Sequence, residues 1–340
     1  MANDKVTSLQ VAQRAGVSQS AVSRVFTPGA SASPKTAEKV RAAAEALGYR
    51  PNAIARAMIT GKSRIIGLVV AYLDNYFYPD AIERLSVALQ AQGYHVLVFM
   101  AARTVGDVQE VLQEILDYQV DGIVLASVAM SSNLAEQCQS NGIPVVLFNR
   151  DQDDARLSSV TTANIHGGRA VAEHLIATGH RRIAYLAGYD GASTQRDREL
   201  GFNSAMAQHG MPVFARGIGN FRQDETRAAV RAMFADPASR PDALFVCNDH
   251  MAFAAMDTLR FELGLKIPQD VSVIGFDDVQ VASWPAYDLT TFRQPVDQMV
   301  AETVATLIER IETPETEPRR IRLEGRLVVR GSCSATAAER

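Results

Sequence analysis

Ser18, Gln19, Ser20, Ser23 and Arg24 lie close together on the polar side of a stretch whose apolar positions, Val22, Val25 and Phe26, recur at i, i+3 and i+4. Hydroxyls and amides can bond the edges of bases, and an arginine can take guanine bidentately or a phosphate. The spacing predicts a short helix, capped by Ser18, that holds these groups outward. Before it, Thr7-Ser8 offers a cap hydroxyl to a helical pattern through Leu9, Val11, Ala12 and Ala15, which Gly16 ends. After it, Ser33 as cap and Pro34 at the first position open a third helix through Ala37, Val40, Ala44 and Leu47, closed by Gly48. Two short helices joined by a glycine-containing turn make a helix-turn-helix, whose second helix enters the major groove by its N-terminal residues. The bland alternative is a three-helix bundle with a solvated polar face.

Charge separates the two. The chain of 340 residues has a net charge of -4, but residues 1–62 hold nine Lys/Arg against Asp4, Glu38 and Glu45. That segment is therefore +6, leaving -10 on residues 63–340. A basic head on an acidic body is what a polyanion-binding module requires.

The run Val11-Ala12-Gln13-Arg14-Ala15-Gly16-Val17-Ser18-Gln19-Ser20-Ala21-Val22-Ser23-Arg24-Val25 resembles the helix-turn-helix signature of the LacI family of bacterial repressors. The resemblance continues through Ser33-Pro34-Lys35-Thr36 and through Gly48 to Met58, and then through most of the remaining chain. It implies a hinge helix in residues 51–63, with Asn52, Arg56 and Met58 joining Ser18, Gln19, Ser20, Ser23 and Arg24 as DNA-binding residues. Met58 stands where the family usually has a leucine that wedges between base pairs in the minor groove. A second departure is Ser8-Leu9-Gln10, where the family commonly has an apolar, a variable and an acidic residue. For Asn52 to Ile59 the alternative is a flexible linker, since so short a helix is marginal alone, and folding only on DNA reconciles the two.

From residue 65 onward, apolar runs alternate with amphipathic stretches: Ile65 to Val70, His95 to Phe99, Gly122 to Leu125, Pro144 to Phe148, Ile183 to Leu186, Ala243 to Val246 and Val271 to Phe276. This is the rhythm of parallel sheets covered on both faces. About ten strand candidates exceed one small sheet, so two doubly wound lobes with a cleft between them are expected. The family resemblance, shared with periplasmic sugar-binding proteins, implies three crossovers near Thr162, Gln294 and Leu323. The expected organisation is an all-α head (1–50), the hinge (51–63) and an α/β two-lobed, periplasmic-binding-protein-like sensor (64–340). Its N-lobe takes about 64–162 and 294–323, its C-lobe about 163–293 and 324–340.

Polar groups follow the strands at Ser127, Asn149-Arg150, Asn248-Asp249 and Asp277-Asp278. With neighbouring aromatics they suit a hydroxyl-rich ligand such as a sugar. The resemblance places effector contacts on Phe77, Tyr78, Ser127, Asn149, Arg198, Phe221, Asn248 and Asp277, with Arg198 and Asp277 foremost. Asn149 replaces an acidic residue frequent in sugar-responsive relatives, which leaves the effector open. For Asp277-Asp278 the alternative is a turn or helix cap.

A catalytic reading finds little. The six histidines form no HExxH, no close pair and no metal spacing with cysteine, and there is no GxGxxG or phosphate loop. Neither an enzyme, a cofactor nor a metal is expected. No apolar run approaches the ~20 residues of a membrane span, and residues 1–5 run into polar sequence with no secretory signal, so a cytoplasmic protein is expected. Of three cysteines far apart in sequence, two lie in or beside apolar runs and read as buried thiols. The expected partners are double-stranded DNA with a near-palindromic operator, a small-molecule effector and further copies of the chain, because one recognition helix reads only a half-site. Family resemblance covers induced and co-repressed regulators alike and leaves the direction of control open.

Overall fold

The computed structural model describes residues 6–27, 30–50, 62–71, 73–101, 108–128 and 130–333. Two compact units divide the chain, Met1–Arg64 and Ile65–Arg340. Residues 51–61, which carry the expected hinge helix, lie outside the described residues.

In the first unit, α1 (Ser8–Ala15), α2 (Gln19–Phe26) and α3 (Pro34–Leu47) enclose Val11, Ala12, Val22, Val40, Ala43 and Ala44. Each helix starts on a side-chain cap: Thr7 accepts from Gln10 N, Ser18 from Ala21 N and Ser33 from Thr36 N. Gly16 and Gly48 close α1 and α3 at φ of 65° and 67°, a left-handed backbone that costs a residue with a Cβ about 1 kcal/mol. Leu9 lies on α1 as the pattern predicts but is 52% exposed, because Val11, Ala12 and Ala15 already fill the stripe toward α3.

The second unit holds two six-stranded sheets. The first contains β1 (Ile65–Val70), β2 (His95–Met100), β3 (Gly122–Ala126), β4 (Val145–Phe148), β5 (Ser158–Thr162) and β11 (Arg320–Leu323), in the order β11-β5-β4-β3-β1-β2 and all parallel. The second contains β6 (Ile183–Ala187), β7 (Ala215–Ile218), β8 (Ala243–Val246), β9 (Ser272–Asp277), β10 (Thr290–Arg293) and β12 (Arg326–Val328), in the order β12-β10-β9-β8-β6-β7. Only β12 runs antiparallel. In each sheet the strand order reverses at one strand, β1 and β6, which creates the switch point where doubly wound sheets bind ligands.

Alternation along the strands builds a core on each face of the first sheet. Ile66, Leu68 and Val70 pack with Leu85 and Leu89 of α4 (Phe77–Ala91) and with Leu307 of α11 (Val296–Glu312). Val69, Ile123, Leu125 and Leu147 pack on the other face with Ile115 of α5 (Val108–Asp117) and Leu134 of α6 (Ser132–Ser140). The chain passes between sheets three times, after β5, after β10 and between β11 and β12.

Five of these strands fall outside the apolar runs that define the others: β5, β7, β10, β11 and β12. β5 reads SSVTT yet is buried throughout, because Ser158 accepts the Arg319 backbone N–H and Ser159 donates to Asp151. All three cysteines, Cys138, Cys247 and Cys333, are free and buried. No helix among the described residues is long and apolar enough to cross a membrane.

Candidate functional site

On the head, Ser18, Gln19, Ser20, Ser23 and Arg24 share the exposed face of α2. Burying Val22 beneath them contributes about 1.5–3 kcal/mol and fixes which way that face points. The groups differ in readiness. Ser18 and Ser20 bond each other at 2.9 Å, and Gln19 Nε2 donates to Ser8 Oγ at 2.8 Å. Ser8, the polar departure in the first helix, thus holds the amide of Gln19. Asn52, Arg56 and Met58 lie outside the described residues.

In the second unit a cleft opens at the carboxyl ends of strands from both sheets. Tyr78, Ser127, Asn149, Arg198, Phe221, Asn248 and Asp277 all line it, together with Asp74, Asn75, Arg150 and Thr194. Phe77 is not a lining residue; its ring stacks on Phe148 at 6.2 Å and meets Tyr78 edge-on. Ser127, Asn149, Phe221 and Asp277 have positive φ (64°, 56°, 60° and 135°). Non-glycine residues take this conformation only where surrounding structure enforces it, and such residues gather at binding sites.

Each polar group has a defined state. Asn248 caps α10 (Asp249–Asp257) by accepting from Met251 N at 3.0 Å, so its amide N–H groups remain as donors. Asn149 Nδ2 donates to Tyr78 Oη at 3.3 Å, while its buried Oδ1 has no partner among the described residues. An acceptor left so costs about 1–3 kcal/mol until a ligand hydroxyl meets it. Burial pushes the Tyr78 phenol up, so it stays a neutral hydroxyl.

Arg198, on α8 (Ser193–Gln208), is 3% exposed. Its Nε donates to Asn164 Oδ1 at 2.8 Å and its Nη1 to the Cys247 carbonyl at 2.6 Å, and the guanidinium lies 3.7 Å from the centre of the Phe276 ring. Asp277 Oδ1 is 3.7 Å from Nη1 and accepts from Gln294 Nε2 at 2.7 Å. The neighbouring Asp278 does different work: Arg330 and Arg293 both bond it, away from the cavity lining.

Behind the cavity, Asp249 is wholly buried, accepting from Thr291 Oγ1 at 2.6 Å and Val279 N at 3.0 Å. Burial first, then the charge of Asp277, push its carboxyl well above the usual range. Burial likewise raises Asp277, against the pull of Arg198 and Gln294. A raised native value means the folded chain holds a proton that the unfolded chain has lost above about pH 4, so stability falls as pH rises from there. The melting temperature is expected to drop between pH 5 and pH 8. In Asp249→Asn, whose amide can accept from Val279 N and donate to Thr291, calorimetry should show a flatter profile; an unchanged slope would refute the assignment.

The family of bacterial regulatory proteins, lacI type, matches residues 9–52, and the periplasmic binding protein-like domain matches residues 172–333. The HTH-type transcriptional regulator CelR of Thermobifida fusca is 34% identical over 331 residues, 95% of this chain and 96% of its own. This chain belongs to the lacI family. It is a DNA-binding transcriptional regulator with a helix-turn-helix head and a two-lobed α/β body. The ribose operon repressor of Escherichia coli K12 is 31% identical over 96% of this chain and 99% of its own. Among solved structures, the lac repressor dimer bound to operator and the anti-inducer ONPF matches this lacI-family chain with a TM-score of 0.87 at 27% identity, covering 98% of this chain and all of that one. A complex of CelR with cellobiose matches with a TM-score of 0.72 at 32% identity over 96% of this chain and all of that one. Family members are transcription regulators, not enzymes.

Three residues lining the cavity of this lacI-family protein, Asp74, Asn75 and Thr194, carry no signal in the sequence. Asp74 and Asn75 follow β1, where no apolar run continues, and Thr194 sits at the start of α8. Arg150 was visible beside Asn149; its Nη2 donates to Ser127 Oγ at 3.2 Å.

Proposed function

We propose that this regulator represses transcription in the bacterial cytoplasm by binding a near-palindromic operator as a dimer, and that a hydroxyl-rich sugar or sugar derivative in the cavity controls it. The observation carrying this reading is the convergence of strand ends from both sheets on one cavity that combines Asn149, Asn248, Arg198 and Asp277 with the rings of Tyr78 and Phe221. Carboxylate, amide and guanidinium bond hydroxyls, while rings cover the apolar face of a pyranose or furanose. The cellobiose complex of CelR and the ribose operon repressor lend support from two relatives. A transport binding protein would share the body but has no use for a basic helix-turn-helix head.

The deciding experiment is a thermal-shift screen with D-ribose, D-galactose, cellobiose and D-galacturonate. A sugar bound only by the native state at 100 times its Kd stabilises by about 2.7 kcal/mol, a clear rise in Tm. No rise with any of the four would sink the sugar reading.

On DNA, Ser18, Gln19, Ser20, Ser23 and Arg24 read one half-site in the major groove, with Asn52, Arg56 and Met58 at the operator centre. Arg24→Ala should weaken operator binding by about 1–3 kcal/mol and relax preference at one base pair. A loss equal on all sequences would make Arg24 a phosphate contact. Affinity should also fall steeply with salt, since the head has several phosphate-directed Lys/Arg.

A further inference from the structure

Arg198 and Asp277 lie in a closed circuit that leaves the cavity. Arg198 Nε donates to Asn164 Oδ1 at 2.8 Å. Asn164 Nδ2 donates to the Thr162 carbonyl at 3.0 Å, and Thr162 Oγ1 donates to Gln294 Oε1 at 2.6 Å. Gln294 Nε2 then donates to Asp277 Oδ1 at 2.7 Å, and the ion pair with Arg198 completes the ring. Every member is at most 5% exposed.

The position of the three uncharged members gives the circuit its meaning. Thr162 ends β5 and Asn164 begins α7 (Asn164–Ala177), so they flank the first passage of the chain between sheets. Gln294 follows β10 at the second passage. Ala163 N also donates to the Leu323 carbonyl at 2.8 Å, which joins the third passage to the first.

We infer that Thr162, Asn164 and Gln294 are positioning residues that couple ligand contact at Arg198 and Asp277 to the way the two lobes are joined. The inference rests on the cavity being the effector site, as proposed above. In a dry interior such a network holds together as a unit, because a lost member leaves its neighbours unsatisfied. Gln294 is the junction: one amide bonds Asp277 through its nitrogen and Thr162 through its oxygen. Rotating that amide by half a turn would set its oxygen against the Asp277 carboxylate, two acceptors with no proton between them. The ring therefore has one relaxed arrangement, and a ligand that draws Arg198 or Asp277 out of place disturbs both passages together. Coupling between sites requires an element whose arrangement both sites bias, and the ring meets the ligand contacts at one end and the passages at the other.

Thr162→Val removes the hydroxyl but keeps the shape, and Thr162→Ser keeps the hydroxyl; Thr162 itself does not line the cavity. Calorimetric titration with whichever of D-ribose, D-galactose, cellobiose or D-galacturonate stabilises the wild type should give a Kd within about threefold in both variants. The sugar-induced change in labelled-operator affinity, about tenfold or more in the wild type, should collapse to within about twofold in Thr162→Val and persist in Thr162→Ser. Full coupling in Thr162→Val would overturn the inference while leaving the effector site intact. Equal loss in both variants would overturn it too, since the methyl's packing rather than the hydroxyl would then matter. A wild type that none of the four sugars stabilises would overturn the effector-site reading, and this inference with it.

Discussion

Arg198→Ala is expected to abolish the sugar-induced rise in melting temperature and the sugar's effect on operator affinity, with affinity for the sugar falling by about 100-fold or more. The guanidinium is held over Phe276 with Nε and Nη1 committed to Asn164 and Cys247, so Nη2, which has no partner among the described residues, is presented in fixed orientation. Hydrogen bonds from a charged donor contribute about 1.5–3 kcal/mol each, and two to a sugar account for the loss. The variant should also melt several degrees lower, because removing one partner of a buried ion pair costs about 3–5 kcal/mol, less whatever Asp277 recovers by taking up a proton. Arg198→Lys should not restore binding, since an ammonium cannot reproduce the planar fork that reaches Asn164 and Cys247 together. Titration calorimetry on variants shown by circular dichroism to be folded decides it; sugar affinity within a few-fold of wild type would refute the placement of Arg198.

The second large effect is expected from a methyl group. Gly168 on α7 and Gly201 on α8 let the two helices touch backbone to backbone. A Cβ at Gly168 would lie 2.0 Å from the Arg198 carbonyl oxygen, and one at Gly201 would lie 1.9 Å from that of Ile165. Backbone oxygens cannot swing aside as a side chain would, so the helices must part. Overpacking of this sort costs about 1–3 kcal/mol and more where nothing yields. For Gly168→Ala or Gly201→Ala about 3 kcal/mol or more is expected, a fall in Tm of roughly 6–12 °C at about 2–4 °C per kcal/mol. Gly210→Ala is the control: its added Cβ meets nothing within 4 Å, and only a positive φ of 65° opposes it, about 1 kcal/mol. Because the clash at Gly168 falls on Arg198 itself, sugar affinity should drop in that variant as well. Equal melting of all three variants would contradict the close helix contact.

What was legible in the sequence follows from how local each cause is. Ser18 as cap, Gly16 as stop and Pro34 as opener act within one turn of helix, and all are found in place. The apolar strands announce themselves because both faces are covered. The exposure of Leu9 was not legible, because periodicity marks a stripe but not where its edge falls. β5 escaped because its burial rests on hydrogen bonds that Ser158 accepts from the Arg319 backbone and Ser159 donates to Asp151, both partners lying outside its own run. In the cavity, residues directly after strong strands could be picked out, whereas Asp74, Asn75 and Thr194 could not. Phe77, chosen with Tyr78, turns into the core instead. The bond from Thr162 to Gln294 spans 132 positions, a separation at which no pattern in one sequence signals contact.

The two edge strands β11 and β12 are separated by only Glu324 and Gly325, and each completes a different sheet. This bears on how the molecule is made. While the ribosome is still synthesising residues before 320, neither lobe has its full complement of strands, however long ago β1 or β6 emerged. N-terminal domains usually fold first as a chain is made; here only the head can follow that order, and the two halves of the sensor must finish together. A nascent chain arrested near residue 315 should therefore be far more sensitive to protease throughout its body than one arrested after residue 333 has left the ribosome.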